Sequence, residues 1–453
     1  NDQVSNTWGD EQAYYSALKV YKLLGVPNRL GILRVPGFHG ANDQEKCLDW
    51  LDIQFGRSTR TWDNHLLFPW DIDKWRANSK ETLDLMKYPR QAANAILASV
   101  SSLTGWQTKA AGIRKSIEWM LGDEPPLMPL VARGAFGRGR GGRAGRGRGP
   151  ARPPRVGNPG QLAPDLVQWV IQQGGTSYGW LQPQASQVTS RSISFGYNVR
   201  GDLYYPSNTP PNTKLPTVIF LHGFSYPLGY MWVYRSDLHP ILALTQAGYA
   251  VFAYDQSGFG SRMAETGPFY DRYPHWSKMG RMVEDARGAI DALQKDSMVD
   301  GSKISIFGYS MGGMVGLYTA ALDPRVKGVV SISGFTPMRT DTVSKGAGGI
   351  ARYSVVHPMM PRLGFFIGHE QQLPYDFNEL IATIAPRAAL IVEPQLDRDG
   401  TPAEVHTAVE QARKIYGLEN AGNKLGLYEP WDYTRLTNAT QDWIVDWMKK
   451  TIQ

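Results

Sequence analysis

The sequence predicts an open α/β fold with a mostly parallel sheet. Three observations carry this. Short unbroken apolar runs recur after residue 157, helical patterns alternate with them, and one run ends at a glycine-flanked serine that opens a helix. The runs are TVIFLHG (217–223), YAVFAYD (249–255), KISIFGYS (303–310), VKGVVSIS (326–333), AALIVEP (388–394) and KLGLYEP (424–430). Continuous apolarity over so few residues suits strands covered on both faces, as in a parallel sheet. LHPILALTQAG, MVEDARGAIDALQK, MVGLYTAALD and PAEVHTAVEQARKIYG lie between runs and read as the flanking helices. Residues 336–380 break the alternation. They are rich in Gly, Met, Pro and aromatic residues and sit between two strands, so a cap over the site is expected there.

Composition narrows the class. A chain of 453 residues predicts two or three domains, and 42% hydrophobic against 20% charged residues excludes a disordered chain. No run of 18 or more apolar residues marks a membrane-spanning helix. The start, NDQVSNTWGD, has neither the basic nor the apolar part of a signal peptide. A single cysteine, Cys47, excludes an intramolecular disulfide and a cysteine-built metal site. The net charge of +7 belongs to one segment: ARGAFGRGRGGRAGRGRGPARPPR (132–155) holds eight arginines and no acid, leaving the remainder close to neutral. Glycine and proline prevent regular structure there, so 132–156 reads as a disordered linker. Phe136 is its single aromatic residue, too few for an RNA-stacking tract, and nucleic acid is not an expected partner.

The region before the linker repeats the end of the region after it. AYYSALKVYKLLGVPNRLGILRVPGFHGANDQEKCLDWLDIQFG (13–56) and EVHTAVEQARKIYGLENAGNKLGLYEPWDYTRLTNATQDWIVDWMKK (404–450) share a helix, a strand-like run (LGILRVP against LGLYEP), a loop and an amphipathic helix containing Asp-Trp. The expectation is therefore that 1–75 is the C-terminal tail of a first α/β domain. Residues 76–131 form a helical connector and 157–453 the complete α/β domain.

GYSMG (308–312) has the form G-x-S-x-G between a strand and a helix. A nucleophile on so tight a turn is lifted clear of the sheet, and only glycine two positions either side avoids a clash. Ser310 is the expected nucleophile. The expected oxyanion donors are the backbone N–H groups of Met311 and of Phe224, the latter in HGFSYPLG after an earlier strand, where Gly223 permits close approach. His222 is expected to shape that loop rather than act as base. Asp397 follows the strand AALIVEP in the position of the triad acid, with Asp399 a weaker rival, and Asp255 is expected to organise its own loop.

The base is the open question. The loop after KLGLYEP is WDYTRL and holds no histidine, whereas the first copy of the repeat has VPGFHG with His39. Three readings stand: His357 reaches Ser310 from the cap, His39 is delivered across the linker, or no base exists and the domain is a degenerate binding module. His357 is preferred. His369, in the same cap, and His406, on a helix nine residues after Asp397, are lesser candidates. Fourteen tryptophans and 22 tyrosines could stack on sugars, but most are expected in core and interfaces.

HGFSYPLG, YDQSGFGSR, GYSMGG, IAPRAALIV and LDRD resemble the α/β-hydrolase superfamily, and more narrowly the bacterial acetyl xylan esterase and dienelactone hydrolase-like proteins, over roughly 157–453. The N-terminal TWGDEQAYYSALKVYKLLG…PGFHG…CLDWLD resembles the C-terminal end of a glucuronoyl esterase-like domain, in which the histidine of that pair is catalytic. The resemblance implies a serine esterase without metal or cofactor, periplasmic or secreted, acting on acetyl or other esters of plant polysaccharides. It makes 1–75 a truncated α/β-hydrolase tail. A peptidase of the prolyl oligopeptidase type shares the turn and sheet and is the second enzymatic reading.

Overall fold

The computed structural model describes residues 7–33, 43–64, 66–125, 187–225, 228–231, 233 and 238–452. Eight strands form one sheet: β1 (Val188–Phe195), β2 (Val199–Pro206), β3 (Leu215–Leu221), β4 (Ala250–Tyr254), β5 (Val299–Tyr309), β6 (Gly328–Ile332), β7 (Ala388–Val392) and β8 (Leu425–Tyr428). Their order is β1-β2-β4-β3-β5-β6-β7-β8, and every pairing from β4 to β8 is parallel. β2 pairs antiparallel with both β1 and β4, so it alone runs against the others. Six of these strands coincide with the six apolar runs. The hairpin β1–β2 was not anticipated: β1 is an edge strand in which Phe195 alone is buried, so it lacks the continuous apolarity of the rest.

Ten α-helices of six or more residues occur among the described residues: α1 (Thr7–Leu23), α2 (Gln44–Gln54), α3 (Ile72–Ser79), α4 (Leu103–Leu121), α5 (Pro240–Gln246), α6 (Lys278–Leu293), α7 (Met311–Leu322), α8 (Phe377–Ala382), α9 (Pro402–Leu418) and α10 (Asn438–Thr451). Side chains alternate along the central strands and divide the core in two. Ile219, Leu221, Phe252 and Tyr254 face a cluster with Met279 and Met282 of α6, Val315 and Leu317 of α7, and Ile113 and Ile117 of α4. Val218, Phe220, Val251 and Ala253 face Ile241 and Leu244 of α5 and Ile444 and Met448 of α10. This is the two-faced covering that parallel strands require.

The N-terminal segment docks on this body. The buried carboxylate of Glu11 accepts hydrogen bonds from the amides of Leu67 (2.6 Å) and Phe68 (2.7 Å). Glu81 and Arg362 form a paired fork at 2.7 Å on each side. Residues 30–33, the described part of the strand expected at LGILRVP, are not strand. The rest of that run, His39 and the whole Arg/Gly/Pro linker lie outside the described residues.

Candidate active site

In an open α/β sheet a crevice opens where strand order reverses, beyond the carboxyl ends of the strands. Here the chain passes from β3 outward to β4 and then returns to β5 on the other side of β3. The loops after β3 and β5 therefore meet, and they carry Gly223–Phe224 and Ser310.

Ser310 has φ 53° and ψ −122°, in the left-handed region that disfavours a residue with a Cβ. Its amide is pinned to the carbonyl of Ile332 on β6 at 2.7 Å. Both flanking glycines are required. A Cβ on Gly308 would stand 2.2 Å from the Gly312 oxygen, and one on Gly312 would stand 2.0 Å from the Leu221 oxygen. Met311 opens α7, so the helix's own ladder leaves its N–H without an acceptor. Gly223 approaches until a Cβ there would lie 3.0 Å from the Ser310 Cβ, and its neighbour Phe224 lines the same cavities as Ser310.

Ser310 faces two joined cavities. The larger, about 660 Å³, is bounded by Phe224, Tyr309, Asp397, Arg398 and Tyr433 among others. The smaller, about 190 Å³, is walled by Phe335, Arg352, Tyr353, His357 and Asp397. Asp397, in the turn after β7, accepts the amides of Asp399 (2.8 Å) and Gly400 (3.2 Å). Beside it Glu393 is buried, and its Oε1 has no hydrogen-bond partner. Burial, then the nearby Asp397 and Glu429 charges, push that carboxyl far above its ordinary value.

His357 is the one imidazole lining Ser310's cavities among the described residues. Its ring lies between Trp8 of α1 (centroids 4.2 Å apart) and Phe224 (4.8 Å). Burial first, then the Arg352 and Lys278 charges, lower its pKa to about 4, so it is neutral at pH 7. Among the described residues, neither Ser310 nor Asp397 is hydrogen-bonded to an imidazole. The loop after β8 places Tyr433 and Thr434 at the cavity, with the Thr434 carbonyl accepting from the Tyr309 hydroxyl at 3.2 Å.

The remaining histidines have other surroundings. His222 is fully buried; its Nδ1 meets the Gly223 carbonyl at 2.7 Å and its Nε2 accepts the Gln256 amide at 3.0 Å, so it braces the donor loop. Asp255 likewise accepts from the Tyr230 and Ser261 amides and the Ser261 hydroxyl. His406 is exposed and pairs with Glu429, and His369 is exposed. The structure thus brings Ser310, Phe224, Met311, Asp397 and His357 to one place. Trp8, which walls the imidazole, was not foreseen: it lies 349 positions away in a separate helix, and nothing in its local pattern signals the contact.

Comparison with known proteins gives this site a family. Among solved structures, a glucuronoyl esterase from Solibacter usitatus superposes with TM-score 0.53 at 15% identity, covering 81% of this chain and 100% of that one, which speaks to the fold. Among curated relatives, YtaP of Bacillus subtilis is 40% identical over 92 residues (20% of this chain, 31% of that protein). The 4-O-methyl-glucuronoyl methylesterase 1 of Phanerochaete chrysosporium is 27% identical over 221 residues (45% and 42%). The matched stretches thus span less than half the length of these relatives. The family described as glucuronyl esterase, fungi, matches residues 186–419, just over half of the chain and all of the sheet but β8, and the chain belongs to that family within the α/β-hydrolase superfamily.

Proposed function

We propose that the protein hydrolyses carboxylic esters of plant polysaccharides through an acyl-enzyme on Ser310, a reading that fits the glucuronoyl esters named for its relatives. The observation that carries this reading is the strained Ser310 turn, closely approached by Gly223 and opening onto two cavities. Ser310 Oγ attacks the acyl carbon and its proton passes to His357. The N–H groups of Phe224 and Met311 hold the oxyanion. His357 returns the proton to the departing alcohol, and water then releases the acid by the same route in reverse. Asp397, on the far wall, is the carboxylate available to an imidazole that swings toward Ser310 when substrate fills the cavity.

A second reading has its own support: among the described residues Ser310 makes no hydrogen bond to a histidine, and Tyr433 and Thr434 occupy the loop where the base normally stands. In that reading the domain binds without turnover. A p-nitrophenyl acetate series with wild type, Ser310→Ala and His357→Ala separates the two. The esterase reading expects loss of about 10³-fold or more in kcat for Ser310→Ala, and an acid limb of kcat/KM near pH 4, because the base must be unprotonated. Inertness of the wild type toward esters and serine-directed fluorophosphonates supports the binding module. An acid limb near 6.5 would assign the base to a histidine other than His357.

A further inference from the structure

A further cavity, about 530 Å³, opens between α1, α3 and residues 266–278 and shares no lining residue with the two that Ser310 lines. Its floor includes Lys278, whose side chain is buried (5% exposed for the residue). The ammonium has no carboxylate within ion-pair distance and donates no hydrogen bond to any described residue. What it has is the ring of Tyr270, 5.7 Å from Nζ. Lys278 is also the first residue of α6, at the positive end of the helix dipole. An unpaired ammonium in that position costs the fold stability and returns nothing to it. Burial accordingly draws its pKa down to about 7.

The rest of the lining points the same way. Lys19 and Lys22 of α1 add positive charge at the rim. The two acids present are engaged elsewhere: Asp71 caps α3 through the amides of Asp73 and Lys74, and Asp271 pairs with Lys74 at 3.4 Å. Trp70 and Tyr15 offer ring faces, and Gln12 and Asn78 offer amides. A buried cation, ring faces and neutral hydrogen-bonding groups in a cavity of this size together fit a ring that carries both hydroxyls and a carboxylate.

We infer that this cavity is a binding site for a carboxylate-bearing sugar, with Lys278 as the charge partner of the carboxylate. The site lies outside the Ser310 cleft and does not depend on Ser310 being a nucleophile. A narrow space of about 30 Å³, lined by both Lys278 and His357, adjoins the site and is too small to pass a sugar chain toward Ser310, so the bound sugar is held apart from the Ser310 cleft.

Isothermal titration of the full chain with sodium glucuronate, glucose and sodium phosphate tests this, in wild type and Lys278→Met. The expected result is binding of glucuronate at least tenfold tighter than of glucose or phosphate. Lys278→Met should abolish that preference and, by removing the unpaired cation, raise the melting temperature without ligand. No heat with glucuronate, equal affinity for glucose, equal affinity for phosphate, or unchanged glucuronate binding in Lys278→Met would each overturn the inference. Should Lys278→Met fail to fold, the wild-type comparison of the three ligands and the variant Lys278→Gln decide it. Ester turnover measured on the same preparations keeps the two proposals apart: turnover without glucuronate binding defeats only the site, and binding without turnover defeats only the esterase.

Discussion

Ser310 and Glu393 are two residues held in states their chemistry resists. Ser310 keeps a left-handed backbone because three glycines remove the Cβ atoms that would collide around it. Glu393 keeps a carboxyl in the core beside two other acids. Because its folded pKa is raised above 4.5, the native state holds the proton more tightly than the unfolded chain does. The contribution to stability is complete below pH 4.5. It falls by about 1.4 kcal/mol for each pH unit as pH rises toward the folded value. Glutamine cannot ionise. Glu393→Gln is therefore expected to match wild type in urea melts below pH 4.5 and to become progressively more stable than it above. A constant difference across pH would show that the fold leaves the affinity of this carboxyl for its proton unshifted. Ser310 and its glycines were legible in the sequence because the turn dictates residue types at fixed offsets. Glu393 was not singled out, since its burial arises from the approach of Gly400 and the loop after β8, which no local pattern encodes.

Among the elements, the insertion between β6 and β7 does more than overhang the cleft. Its Arg362 carries a paired fork to Glu81 and also donates to the carbonyl of Trp119 on α4, so it ties the N-terminal helical region to the sheet's own connection. Burial alone would raise the Glu81 pKa; the hydrogen bonds from Arg362 and His275 outweigh it and hold the carboxyl below its usual range. Removing one member of a shielded pair leaves the other uncompensated. Glu81→Ala is expected to cost about 3–5 kcal/mol in chemical denaturation, with Glu81→Gln, which keeps an acceptor, losing less. Equal and small losses would show the pair to be solvated. The strands of the parallel sheet were readable because burial on both faces leaves uninterrupted apolar runs. β1, the edge strand, needs no such run, and the β2 run VRGDLYYP is interrupted by Arg200, Gly201 and Asp202, so neither was readable.

For the molecule as a whole, the boundary between an N-terminal region and an α/β body does not divide the hydrophobic core. Ile113, Ile117 and Met120 of α4 belong to the same cluster as Ile219 and Leu221 of β3 and the buried face of α6. Removing residues 1–125 would expose that face of α6 and α7 to water, at about 25 cal/mol for each Å² of apolar surface uncovered. Such a chain is expected to aggregate or to melt without cooperativity in calorimetry, whereas the full chain melts with this core as one unit. Two separate transitions in the full chain, one surviving in the shortened form, would contradict this. Sequence reading found the repeat around residues 13–56 but could not show what that segment touches, because contacts between distant stretches follow from packing and not from period.

The stacking of Trp8 on His357 has a practical corollary. A preparation beginning after residue 23 would retain the strained serine, both amide donors and the whole sheet, yet would present its imidazole to water on one side. Its proton affinity would climb back toward that of an ordinary histidine, and its ring would be at liberty to turn. Silence from such a shortened enzyme would therefore report on a missing indole and leave the reactivity of the serine itself unjudged.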